Sequence, residues 1–116
     1  MDYKIGKVSE FTTNKCHIIN IKGRSIAIYR SKETFYAVRN RCPHKGAEIC
    51  KGDFRGTMLP SNPNELNYGL EEQVVVCPWH GYEFDVKTGN ALFNLTKLKL
   101  KTYDVYQKNG ELYIKI

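Results

Sequence analysis

The chain has 116 residues, 41% of them hydrophobic and 26% charged, the composition of a globular domain and not of a disordered chain. One modest core fits within this length, and a second catalytic domain does not. Eighteen Lys and Arg against twelve Asp and Glu leave a net charge of +6, which reads as a solvated surface with some capacity to steer an acidic partner. No apolar run approaches the ~20 residues that span a bilayer. The opening Met1-Asp2-Tyr3-Lys4-Ile5-Gly6-Lys7 lacks the apolar stretch of a signal peptide. The expectation is a cytoplasmic protein with no membrane association. Its four cysteines then point to metal binding or reactivity before disulfides.

In chain order, Cys16-His17-Ile18-Ile19-Asn20-Ile21-Lys22 reads as a strand that turns at Gly23 into Ser25-Ile26-Ala27-Ile28-Tyr29-Arg30. Lys32-Glu33 then turns the chain into Thr34-Phe35-Tyr36-Ala37-Val38. The β-branched and aromatic enrichment of these runs predicts three antiparallel strands. From Asn40 to Asn90 the chain is rich in Gly, Pro, Asn, Cys and His, with little periodicity outside Gln73-Val74-Val75-Val76. Such a strand-poor segment between strand-rich ends is where a rigid scaffold would hold functional loops. Leu98-Lys99-Leu100-Lys101-Thr102-Tyr103 alternates as a half-buried strand does. Asn109-Gly110 then joins Tyr103-Asp104-Val105-Tyr106-Gln107 to Glu111-Leu112-Tyr113-Ile114-Lys115-Ile116, a hairpin signal because a type I′ turn needs φ > 0 twice. Lys97, Lys99 and Lys101 share one strand face, the ordinary pattern of a solvated surface. The cations are otherwise scattered, and no nucleic-acid partner is expected.

Two clusters in the middle segment carry the chemistry: Cys42-Pro43-His44-Lys45-Gly46 and Cys77-Pro78-Trp79-His80-Gly81. Each brings one thiolate and one imidazole within reach of a common metal centre. Each Pro stiffens its loop, and each Gly permits φ > 0 or close approach of backbone N–H groups to an anionic group. A Cys₂His₂ zinc site is the competing reading. Its spacing would be unusual, because zinc fingers pair Cys with Cys and His with His.

The paired clusters, with the following Tyr82-Glu83-Phe84-Asp85-Val86-Lys87-Thr88-Gly89, resemble the Rieske iron–sulfur family. That resemblance implies an all-β fold: an antiparallel β-sandwich scaffold with a small cluster-binding subdomain made of two loops. It implies one domain over residues 1–116, with the scaffold roughly at 1–40 and 86–116 and the cluster-binding part roughly at 41–85. It further implies one [2Fe–2S] cluster, with Cys42 and Cys77 on one iron and His44 and His80 on the other. Lys45, Gly46, Trp79, Gly81, Tyr82 and Phe84 would surround it, the backbone around residues 45–47 and 79–82 donating to its sulfurs.

Rieske proteins of quinol-oxidising complexes join their two loops by a disulfide. Here Trp79 stands where the second loop would need a cysteine, so that bridge is not expected and Cys50 is read as a free buried thiol. Cys16 and His17 are read as filling of a strand. The 32 residues between His44 and Cys77 include a long excursion at 56–70, expected as an ordered flap.

The function implied is a one-electron carrier, similar to the Rieske ferredoxins of ring-hydroxylating oxygenase systems. It would take electrons from a flavin reductase, pass them to a terminal oxygenase or similar enzyme, and transform no substrate itself. The alternative is a Rieske-like small subunit of a larger enzyme such as NADH-dependent nitrite reductase. An oxygenase catalytic subunit is excluded: it needs a mononuclear iron with two further histidines, and only His17 remains.

Overall fold

The computed structural model describes residues 1–13, 15–43, 46–59, 67–78, 82–92 and 98–116, with backbone alone at 55–59 and 67–72. Three antiparallel sheets lie in it. The first contains β1 (Asp2–Lys7), β9 (Val105–Lys108) and β10 (Glu111–Lys115), in the order β1-β10-β9. The second contains β2 (Cys16–Ile21), β3 (Arg24–Ser31), β4 (Thr34–Arg39) and β8 (Thr102–Tyr103), in the order β2-β3-β4-β8. The third contains β5 (Phe54–Leu59), β6 (Asn67–Val76) and β7 (Glu83–Asp85), in the order β5-β6-β7.

The middle sheet is covered on both faces, which explains why β3 reads as an unbroken apolar run. Ile26 and Ile28 go to a core shared with Phe11, Phe35, Leu112 and Ile114. Ala27 and Tyr29, pointing the other way, join Val38, Val75, Phe84 and Leu100 in a second core. This second core also contains Cys42 and Cys77. The central sheet is therefore the wall between the scaffold and the two loops. Among the described residues, no helix is long and apolar enough to cross a membrane.

The three expected N-terminal strands are present, Ile26 facing both Ile19 and Arg39. Asn109 and Gly110 have φ of 54° and 75°, and they join β9 to β10 as the hairpin reading required.

Two expectations need correction. The middle segment is not strand-poor, since β5, β6 and β7 form a sheet there. A register shift between Arg55 and Thr57 breaks the alternation that would have revealed β5. The excursion at 56–70 is built from the far ends of β5 and β6, and its tip at 60–66 lies outside the described residues. At the other end, Leu98–Tyr103 is not one strand. Asn90 bridges Lys99, the Leu100 N–H donates to the Gly89 carbonyl (2.8 Å), and only Thr102–Tyr103 pairs with β4. The stretch changes partners midway, which its even alternation does not reveal.

Candidate metal centre

The first loop begins where β4 ends. Asn40, 5% exposed, is a buried polar junction. Its backbone N–H donates to the Ser25 carbonyl (2.9 Å), its amide to Ser25 Oγ (3.2 Å), and its Oδ1 accepts the Cys50 N–H (2.9 Å). Two residues later the Cys42 N–H donates to the Ala47 carbonyl (2.7 Å), and the Gly46 N–H returns to the Cys42 carbonyl (2.8 Å). This tight closure is possible because Gly46 takes φ of 77°. Cys42 is left buried at the root of the loop.

The second loop is closed in the same manner. β6 ends at Val76, and the Cys77 N–H donates to the Tyr82 carbonyl (2.8 Å), so the chain returns directly into β7. Cys77 is fully buried; Tyr82 packs at the margin of the second core and Phe84 inside it. Phe84 lies opposite Val75, which fixes its side chain on the face shared with the two thiols.

The segment after the first loop locks the two roots together. Ile49–Lys51 forms a 3₁₀ turn, and the Val76 N–H donates to the Asp53 carbonyl (2.9 Å). Between them, Gly52 lies so close to the Val76 carbonyl that a Cβ has no room. Sequence reasoning overlooked Asn40 and Gly52. Their only sequence signals are an Asn closing an apolar strand just before the first cluster and a Gly just after it.

Of the residues expected around a cluster, the structure brings together Cys42, Cys77, Tyr82 and Phe84, with Gly46 in the first loop. His44, Lys45, Trp79, His80 and Gly81 lie outside the described residues. Among the described residues, no three His, Cys, Asp or Glu side chains converge on one point. His17 does local work on β2: its Nε2 accepts the Thr12 N–H (2.9 Å) and its ring meets Phe11 edge-on.

The reading of Cys50 as a free thiol, and of Cys16 as strand filling, is wrong. The two form a disulfide with Cα atoms 5.4 Å apart. β2 lies at the edge of its sheet and presents Cys16 to the 3₁₀ turn, a neighbour 34 residues away in sequence. This correction also tests the fit of a metal group. Two of the four cysteines are bonded to each other, and the two outside that disulfide, Cys42 and Cys77, are buried in one core at the roots of the two Cys/His motifs. Soft thiolates at these two roots suit iron–sulfur chemistry.

Comparison with known proteins agrees. The Rieske [2Fe-2S] domain family matches residues 1–104. The 3-phenylpropionate/cinnamic acid dioxygenase ferredoxin subunit of Photorhabdus laumondii is 33% identical over 91 residues, covering 78% of this chain and 72% of that one. Ferredoxin CarAc of Metapseudomonas resinovorans is 27% identical over 112 residues, covering 96% and 90%. The fold is similar to that of the ferredoxin of carbazole 1,9a-dioxygenase from Nocardioides aromaticivorans, with a TM-score of 0.78 at 21% identity over 98% and 96% of the two chains. It is also similar to a protein described as a nitrite reductase NADPH small subunit, with a TM-score of 0.74 at 18% identity over 100% and 99%. The chain belongs to the Rieske [2Fe-2S] domain family, and its cofactor is that family's two-iron cluster.

Proposed function

We propose that the protein is a Rieske-type ferredoxin, a one-electron carrier that works as a single domain. Cys42 and Cys77 hold one iron of the [2Fe–2S] cluster, and His44 and His80 hold the other. The observation that carries this reading is the division of the thiols. The two in Cys/His motifs lie outside the disulfide and are buried in one core, while the other two are bonded to each other. When bound, the cluster supplies a site that takes and gives one electron, favoured on the imidazole-ligated iron because neutral ligands lower the negative charge there.

The chain's own residues build and shield that site. The closures at Cys42 and Cys77 hold the thiol roots in place, and Gly46 lets the first loop turn sharply. Phe84 and Tyr82 fill the space behind the loops, keeping water from the thiolate side. Lys45, Trp79 and Gly81 are neighbours in sequence of the two histidines and would surround the cluster. The relatives are named as ferredoxin components of dioxygenase systems, which supports an oxygenase as acceptor; a flavin reductase as donor and a place in the cytoplasm complete the proposal. Absorption and EPR spectra of anaerobically purified protein test the reading. A red-brown protein with a Rieske signal in the reduced state is expected, and a colourless protein with stoichiometric zinc overturns it.

A second reading has its own observation, the fold likeness to a nitrite reductase small subunit. In that case the chain is a permanently bound subunit. Gel filtration from the native host separates the two: a carrier elutes alone, and a subunit elutes with a large partner.

A further inference from the structure

The bridge between Cys16 and Cys50 lies at a place where it can do more than staple. Cys16 is on an edge strand, and both cysteines are only half-buried. They line an open cleft of about 510 Å³ together with Lys15, Tyr29, Asp53 and Phe54. A thiolate from solution can therefore approach the sulfurs, and accessible disulfides are the ones that exchange.

What the bridge holds is specific. Cys50 is bonded through its N–H to Asn40, two residues before Cys42. Gly52 and Asp53, the next residues but one, press against Val76 and bond it, one residue before Cys77. The disulfide thus ties to β2 a segment that touches the roots of both loops. In the cytoplasm proposed above, disulfides are commonly transient and redox-responsive.

We propose that Cys16–Cys50 is a second redox site of this protein, a two-electron dithiol/disulfide couple that cellular dithiols open, and that its state sets how firmly the two loops are held. In opening, a thiolate of the dithiol reductant attacks one sulfur of the bridge. The S–S bond breaks, the other cysteine leaves as a thiolate, and a mixed disulfide forms. The reductant's second thiol then attacks the mixed disulfide. The reductant ends as its own disulfide, and the protein gains two electrons and two protons as a pair of thiols. The one-electron chemistry of the cluster takes no part.

The test uses the purified holoprotein in anaerobic buffers of graded reduced and oxidised dithiothreitol. Thiols are trapped by a maleimide and located by mass spectrometry, and release of iron to a chelator is followed in parallel. Cys16 and Cys50 are expected to become reactive together in one two-electron transition, with Cys42 and Cys77 protected. Iron release is expected to speed up at least severalfold across that transition. C16S and C50S are expected to release iron at the fast rate whatever the buffer; because either variant can fail to fold, the titration of the unaltered protein decides. Labelling of Cys16 and Cys50 in fully oxidising buffer overturns the proposal, as does a bridge that resists dithiothreitol or opens without altering iron release. Failure of the ferredoxin reading is visible separately, as the absence of cluster absorbance before any dithiol is added.

Discussion

Replacing Tyr29 by Phe removes a single oxygen from the wall between the two halves of the molecule. Tyr29 is 1% exposed, its ring lies 4.6 Å from that of Phe54, and it packs in the core that contains Cys42 and Cys77. Its hydroxyl is buried and has no hydrogen-bond partner among the described residues. A Tyr to Phe change in a core usually costs a hydrogen bond. Here the sign reverses, because a buried group without a partner forfeits about 1–3 kcal/mol of lost hydration. With an unfolding entropy of about 2.1 cal/mol/K per residue, each kcal/mol corresponds to roughly 4 °C in a chain of this length. Tyr29→Phe is therefore expected to raise the thermal midpoint by about 4–12 °C.

A second readout follows from pH. Burial pushes the Tyr29 phenol pKa well above its ordinary value of 10.0. The folded protein then keeps this proton at pH values where the unfolded chain has lost it. The stability linked to the neutral phenol is complete below pH 10 and declines as pH rises from there towards the folded-state pKa. Phe at position 29 removes that part of the alkaline loss. Thermal midpoints of both proteins, at one scan rate and at neutral pH and above pH 10, give both numbers. A variant less stable by 1 kcal/mol or more at neutral pH, with the alkaline loss unchanged, refutes the reasoning and means that the hydroxyl is bonded.

The remaining predictions concern the loops. Cys42→Ser, His44→Ala, Cys77→Ser and His80→Ala are each expected to lose most of the cluster absorbance, because metal binding is coupled to folding of the segments it ties down. Retained colour in His44→Ala sinks the ligand assignment. Gly52→Ala places a methyl group against the Val76 carbonyl and is expected to destabilise by about 1–3 kcal/mol, read from thermal midpoints. An unchanged midpoint removes Gly52 from the clamp between the two roots. Phe84 offers no hydroxyl to the thiolate side, and the potential is expected near the low end of the Rieske range, around −150 mV, by protein-film voltammetry. Phe84→Tyr is expected to raise it, and a wild-type value well above zero refutes the argument.

The features that the sequence revealed are those governed by a few neighbouring residues. The Asn109-Gly110 turn follows from φ preferences alone, and β3 is visible because Ile26, Ala27, Ile28 and Tyr29 all need cover. The two Cys/His motifs are visible because a Cys and a His two or three residues apart form a recognisable metal-binding pattern. What depended on the tertiary structure involves partners far apart in the chain. Nothing near Cys16 or Cys50 marks them as a pair, because their bond exists only once the edge of the middle sheet meets the turn after the first loop. The third sheet was hidden by the register shift in β5, and Leu98–Tyr103 was misread because its pairing passes from Asn90 to β4 midway. Asn40 looks like an ordinary strand end until its side chain is seen to bond both Ser25 and Cys50. Local geometry limits what each segment can form. Which faces become buried against one another is a property of the whole chain, and that burial decides which cysteines become a bridge and which stay outside it.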